Sequence, residues 1–245
     1  NANAKGDLQN ICPHIVLSER RFFGIILKLR SLSIWGGDDA VPNLLSDFQG
    51  WLLGILYTLP ALVIGFTLHE YCHAAAAVLL GDPTPRMEGR LTLNPSAHID
   101  WIGMLLFLLL GWGWARPVHI QPGNLKGRRW GEAAVSAAGP LSNFLLAMLC
   151  YVVTILLPQG VWMQFLLYGV SVNLTLCFLN LLPVPPLDGF AVLRALLGLR
   201  AGKVLDFMQK YGLILVLLLS LLGVLNSYLF LMRGLSIALF ARLFG

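Results

Sequence analysis

From Trp51 to Leu80 the chain runs through 30 residues whose only Asp, Glu, Lys or Arg is Glu70, and within that stretch lies His69-Glu70-Tyr71-Cys72-His73. A helix of that length reaches about 45 Å, enough to cross the ~30 Å hydrocarbon core of a bilayer with some tilt and a kink at Pro60. Lipid offers no partner to a backbone polar group, so a segment this apolar is predicted to span as helix and not as loop or open strand. An ionisable cluster at membrane depth is then a functional site by default.

On a helix His69 and His73 are four residues apart on one face, where two imidazole nitrogens can reach one zinc ion, and Glu70 beside them is a potential base for water. Five His and four Glu in 245 residues predict roughly 0.002 such pentads by chance. The alternative is a hydrogen-bonded pair of buried histidines with a neutralised glutamate. It leaves three buried polar groups without compensation, at a cost on the order of several kcal/mol.

The whole chain agrees with a membrane setting: 57% of residues are hydrophobic, 12% are charged and the mean hydropathy is +0.75, against about 25% charged in soluble domains. This predicts an integral membrane protein. The net charge of +5 is spread over loops without interleaved aromatics, which argues for orientation in a membrane and against a nucleic-acid partner. Cys12, Cys72, Cys150 and Cys177 form no C-x-x-C pair and define no disulfide scaffold. Cys72 reads as a small packing residue.

Residues 1–43 mix Lys5, Arg20, Arg21, Lys28, Arg30, Asp38 and Asp39 with short apolar runs. They are expected to form a tail without a functional role: Phe22 to Leu29 is too short to span a bilayer, and no small-residue cleavage site follows a sufficiently long apolar core, so a signal peptide is not supported. Further apolar segments run from Ala133 to Leu157, Val161 to Leu187 and Leu213 to Phe240, the last with an expected interruption near Asn226-Ser227. Trp101 to Trp114 is also apolar, but short and glycine-containing, and is expected to turn back or lie at the interface.

Gly81 to Gly131 carries Arg86, Arg90, Arg116, Lys126, Arg128 and Arg129, and Ala191 to Lys210 carries Arg194, Arg200, Lys203 and Lys210. Both basic loops should face the cytoplasm, so the first span runs inward, the Ala133 segment outward and the Val161 segment inward. The basic residues of the N-terminal segment oppose this orientation and are discounted with it.

A catalytic zinc takes a third protein ligand and keeps a position open. Candidates are Asp82, Glu88, His98, Asp100, His119 and Asp188. Asp188 ends the run Asn180-Leu181-Leu182-Pro183-Val184-Pro185-Pro186-Leu187-Asp188-Gly189, where three prolines break the helix and expose carbonyls that need a cavity. Both Asp188 and the His pair lie toward the inner ends of spans with the same direction, so they share a depth. The competing role for Asp188 is that of a turn or helix-end carboxylate before Gly189.

Together these residues resemble the site-2 protease family of intramembrane zinc metalloproteases. His69-Glu70-x-x-His73 is similar to its first ligand motif, and Asn180-x-x-Pro183-x-Pro185-x-x-Asp188-Gly189 to its second. Ala138-Gly139-Pro140-Leu141-Ser142-Asn143 resembles the family's middle core helix, and Gly89-Arg90-Leu91-Thr92-Leu93-Asn94-Pro95 its membrane-associated β-loop. The resemblance covers about Leu44 to Gly245. It implies an all-α polytopic membrane bundle with a small β-loop, occupying residues 44–245, and a minimal catalytic core without an inserted PDZ or nucleotide-binding regulatory domain.

It further implies one zinc ion per chain held by His69, His73 and Asp188, Glu70 as acid/base, and Asn180 near substrate or oxyanion. From the residues alone Asn180 equally suits the backbone of the broken helix. Arg90, Leu91, Thr92 and Leu93 are candidates to pair with an opened substrate segment by edge addition. Gly139 and Pro140 read as close-packing residues and Asn143 as a bridge between helices. His119 departs from the proline expected in that loop. The expected activity is zinc-dependent hydrolysis of peptide bonds within or near transmembrane segments of a protein or peptide substrate, in a multi-pass cell-membrane protein whose site lies in the bilayer nearer the cytoplasm. A metal-ion transporter and a proteolytically inactive substrate-binding relative are the alternatives. Oligomeric state is left open.

Overall fold

The computed structural model describes residues 44–110, 116–158, 160–198 and 202–245. The N-terminal segment 1–43 and the last four residues of the expected Trp101 to Trp114 piece, 111–114, lie outside the described residues. Helix α1 spans Leu44–Leu79 and contains Pro60. It ends where Gly81, at φ 104°, lets the Gly81 amide reach the Val78 carbonyl and the Asp82 amide reach that of Ala77, a Schellman closure that an L side chain would strain.

Short helices α2 (Thr84–Met87) and α3 (Pro95–His98) lead to α4 (Trp101–Leu110), whose start is capped by Asp100 through the amides of Ile102 and Gly103. Ten residues of helix reach only about 15 Å, too little to cross. Then come α5 (Arg129–Leu156), α6 (Trp162–Asn180), α7 (Gly189–Leu197), α8 (Gly202–Leu221) and α9 (Val224–Phe244). Among the described residues five helices, α1, α5, α6, α8 and α9, are long and apolar enough to cross a membrane.

Two expectations need correction. The Gly89 to Pro95 segment contains no strand. Its polar groups are spent locally instead: the Arg90 guanidinium donates to the Ala97 carbonyl, His98 Nε2 meets the Thr92 carbonyl at 2.7 Å, and Asn94 caps α3 through the Ser96 amide. A segment bonded back onto its own next helix has no partner strand to extend against. The other correction concerns the last apolar run. It divides at Gly223, at φ 74°, ahead of Asn226 and Ser227, which lie inside α9 with the Ser227 hydroxyl on the Gly223 carbonyl. Beyond these two, a third correction is that the region expected as a basic loop from Ala191 to Lys210 is largely helical, forming α7 and the first turns of α8.

Helix α5 packs against both α1 and α6, and α1 packs against α6. Contacts between α1 and α6 rise together in number, Tyr57 with Tyr168 and Gly65 with Asn173, so these helices run parallel. Contacts between α1 and α5 run oppositely, Gly65 and His69 with Asn143, His73 with Val135. The core is otherwise apolar: Ala147, Tyr151, Val170, Leu174 and Phe240 form one cluster, and Leu62, Ile99, Met104 and Leu176 another.

After Asn180 the chain leaves helix through the Pro183 to Pro186 stretch and re-enters it at Gly189. Val184 packs with Val216, Leu225 and Leu229, so the α8–α9 hairpin is seated against this break. A Cβ on Gly212 of α8 would lie 2.5 Å from the Pro185 carbonyl oxygen. Gly212→Val is therefore expected to lower unfolding stability by about 1–3 kcal/mol through overpacking. A thermal midpoint in detergent equal to the parent's would show that α8 does not rest on Pro185.

Candidate metal centre

The Pro break and the α1 face converge on one point. His69 Nε2 and His73 Nε2 lie 3.0 Å apart, and Asp188 Oδ2 lies 3.1 Å from the first and 3.3 Å from the second. Both histidines are buried. Asp188 occupies the position before α7 where a carboxylate would ordinarily accept the amides of the first turn, yet its side chain makes no such bond. Its buried Oδ2 has no hydrogen-bond donor. The helix-end role considered for Asp188 is thus not the one its oxygen fills.

The tautomers follow from the second ring nitrogens. His73 Nδ1 faces the Val135 carbonyl at 2.7 Å and His69 Nδ1 faces Asn143 Oδ1 at 2.6 Å. Asn143 cannot be turned round, because its Nδ2 donates to the Gly65 carbonyl at 3.1 Å and to Asn173 Oδ1 at 2.9 Å, while Asn173 Nδ2 is committed to the Gly169 carbonyl. Each imidazole therefore donates from Nδ1, which leaves the Nε2 of a neutral ring free to serve as a metal ligand beside the carboxylate oxygen. With the rings neutral these are three acceptors out of water, an arrangement that a cation bound among them would satisfy. The separations match the edge of a tetrahedral zinc site, roughly 3.3 Å for ligand bonds of about 2.0–2.2 Å.

Helix α5 supplies the room. A Cβ on Gly139 would lie 2.4 Å from His73 Nε2 and 2.7 Å from His69 Nε2, so glycine here leaves open the side on which the ring nitrogens converge. Sequence reasoning reads Gly139 as a packing residue and Asn143 as a bridge. Asn143 is a bridge, and it also orients His69. Val135 and Asn173 were missed: Val135 contributes only a carbonyl, and Asn173 is one of several polar residues scattered along a mostly apolar run.

Glu70 is buried, and its Oε2 accepts the Val118 amide at 3.2 Å. The remaining ligand candidates are engaged elsewhere. Asp82 binds Thr84, Gln121 and Asn124; Glu88 pairs with exposed His119 at 3.1 Å; His98 meets Thr92; Asp100 caps α4. Burial pushes the Asp82 carboxyl up, but hydrogen bonds from the Thr84 side chain, the Gln121 amide, Asn124 and the Thr84 amide outweigh it and hold it below the usual carboxylate range. Cys72 stays outside the ligand set. Asn180 Nδ2 donates to the Leu176 carbonyl at 3.0 Å, one turn back at the end of α6. Arg90 to Leu93 form no strand, and the Thr92 carbonyl is engaged by His98.

The fold and site define a multi-pass membrane protein with a buried two-histidine, one-carboxylate set suited to zinc. The profile of peptidase family M50 matches residues 155–224. YwhC of Bacillus subtilis (strain 168), a candidate zinc metalloprotease by name, is 38% identical over 175 residues, covering 66% of this chain and 79% of that protein. Rip2 of Mycobacterium tuberculosis, named likewise, is 34% identical over 179 residues, 69% of this chain and 68% of that protein. MJ0611 of Methanocaldococcus jannaschii, also so named, is 29% identical over 149 residues, 58% and 72% of the two chains. No solved structure matches. The chain belongs to peptidase family M50, the site-2 protease family, and is a zinc metalloprotease.

Asn143→Ala is expected to weaken zinc binding about 10–100-fold, the usual cost of losing an outer partner of a ligating histidine. Gly139→Ala should lower zinc occupancy while the protein still inserts. Parent-like zinc affinity in Asn143→Ala, measured by competition with a chelator, would mean that His69 is oriented by something else.

Proposed function

We propose that this metalloprotease is an intramembrane endopeptidase that hydrolyses peptide bonds within or near transmembrane segments of membrane-protein substrates. The observation that supports this reading is the position of the His69, His73 and Asp188 donors, gathered inside a bundle of helices long and apolar enough to span a bilayer. In this reading the three residues hold one zinc ion per chain, and Glu70 is the general acid/base. Zinc held there supplies Lewis acidity, making water acidic near neutral pH and polarising a carbonyl.

Glu70 takes the proton of the attacking water and returns it to the departing amine. The Val118 amide occupies one of its oxygens and fixes the carboxylate's rotation. A substrate helix hides its carbonyls in its own hydrogen bonds, so the scissile segment has to be unwound before it can reach these groups. Asn180 would have to exchange the Leu176 carbonyl for substrate in order to act on an oxyanion. Basic residues in the Gly81 to Gly131 connection, at the end of α1 that carries the histidines, support a site nearer the cytoplasmic side.

Glu70→Gln should retain its zinc and lose cleavage of a single-pass membrane substrate in detergent by at least about 1000-fold, since the Glu70 base and acid steps each contribute roughly 10²–10⁴. Undiminished cleavage by Glu70→Gln would remove Glu70 from the reaction. Ion flux through parent vesicles without any proteolysis would replace the reading with a transporter.

A further inference from the structure

Residues 116–121 form neither helix nor strand. They run as a strap across Glu70, tied at both ends: the Arg116 amide donates to the His98 carbonyl at 2.9 Å, and the Gln121 amide to Asp82 Oδ2 at 2.6 Å. Between these ties the Val118 amide meets Glu70. Beyond Gln121 the chain is secured to the end of α1, with Asn124 Nδ2 on Asp82 Oδ1 at 3.2 Å, the Lys126 amide on the Leu80 carbonyl at 2.8 Å, and Leu125 packed with Ala77 and Val135.

Asp82 is fully buried just after α1. Its Oδ1 closes the local turn by accepting the Thr84 amide and hydroxyl. That turn needs one oxygen, which an uncharged Asn or Ser would provide without the cost of burying a charge. The second oxygen goes to the Gln121 amide, a bond of the short, charge-assisted kind. It joins α1, which carries the histidines and Glu70, to the segment that touches Glu70 from the other side.

We propose that Asp82 is a positioning residue for the general base: by pinning Gln121 it holds the strap in register, so that the Val118 amide fixes the Glu70 carboxylate. This rests on the endopeptidase reading above. The zinc ligands are oriented by Asn143, Val135 and the Asp188 turn, none of which bonds Asp82, so the anchor acts on turnover and leaves metal binding alone. A displacement of about 1 Å in a catalytic group is enough to cost on the order of 100-fold in rate.

The test compares the full chain with Asp82→Ala, Thr84→Ala, Val118→Pro and the Asp82→Ala/Val118→Pro double variant. Asp82→Ala should keep one zinc per chain, lose at least about tenfold in kcat on a single-pass substrate with KM within about twofold, and exchange its amides at 118–121 faster than the parent while those of α1 do not change. Thr84→Ala, which spares the Gln121 bond, should keep parent kcat. In the Val118→Pro background, where the amide to Glu70 is already gone, Asp82→Ala should have no further effect on kcat. Parent kcat in Asp82→Ala, zinc loss in that variant, or additive losses in the double variant would overturn the proposal. Deuterium exchange separates the two failures: a parent that never cleaves defeats the endopeptidase reading, whereas unchanged protection of the strap in Asp82→Ala defeats this one.

Discussion

Two imidazole nitrogens and a carboxylate oxygen, all acceptors, meet within 3.3 Å in a buried site, and much of the surrounding architecture serves to keep them there. Each Nδ1 must have an oxygen to donate to, or the wrong tautomer would place a proton where a metal has to bind. Helix α5 supplies both oxygens from one side, the Val135 carbonyl and the Asn143 side chain, eight residues apart along it. Between them Gly139 gives up its side chain so that the rings can converge. One helix therefore sets the orientation of both histidines and the space they share.

The amide chain from Asn143 to Asn173 ties that orientation to the packing of three helices. Asn143 and Asn173 are almost completely buried, and their four donor and acceptor groups are matched to one another, to His69 and to carbonyls of α1 and α6. A fully satisfied polar network of this kind resists sliding, because a shift of any one helix would leave an amide unpaired in an apolar medium. The carboxylate arrives by another route. Because α6 is parallel to α1, its end lies beside the histidines, and the proline-rich break turns the chain so that α7 begins with Asp188 facing them. The Arg194 to Glu132 ion pair then binds α7 to the start of α5.

What could be read in advance was what spacing along a helix and depth in a bilayer determine. His69 and His73 share a face by helical pitch, and Asp188 shares their depth once charge placement fixes the direction of two spans. Contributions made by the backbone were invisible: the Val135 carbonyl and the Val118 amide carry no side-chain signature, and any residue could have provided them. The Gly89 to Pro95 segment misled because a resemblance to a β-loop cannot reveal that Arg90, Asn94 and His98 turn its polar groups back upon α3. The division at Gly223 was misplaced because Asn226 and Ser227 are turn formers by habit, yet one residue at positive φ suffices to end α8, and Ser227 finds a helical carbonyl instead.

The strap over Glu70 shows why an irregular segment is useful beside a base. A helical or sheet amide is already spent on its own element, whereas Val118 lies between Pro117 and Pro122 in backbone that belongs to neither, so its N–H is available to a side chain. The two prolines donate nothing themselves and stiffen the run, which limits its capacity to zip into a neighbouring strand and withdraw that amide. Such a segment has no internal bonds to hold its shape and must borrow rigidity from its ends. Its position then depends on the His98 carbonyl and the Asp82 carboxylate at its ends, with the His119–Glu88 pair and the packing of Ile120 between them, and the geometry at Glu70 depends in part on residues that never approach the metal ligands.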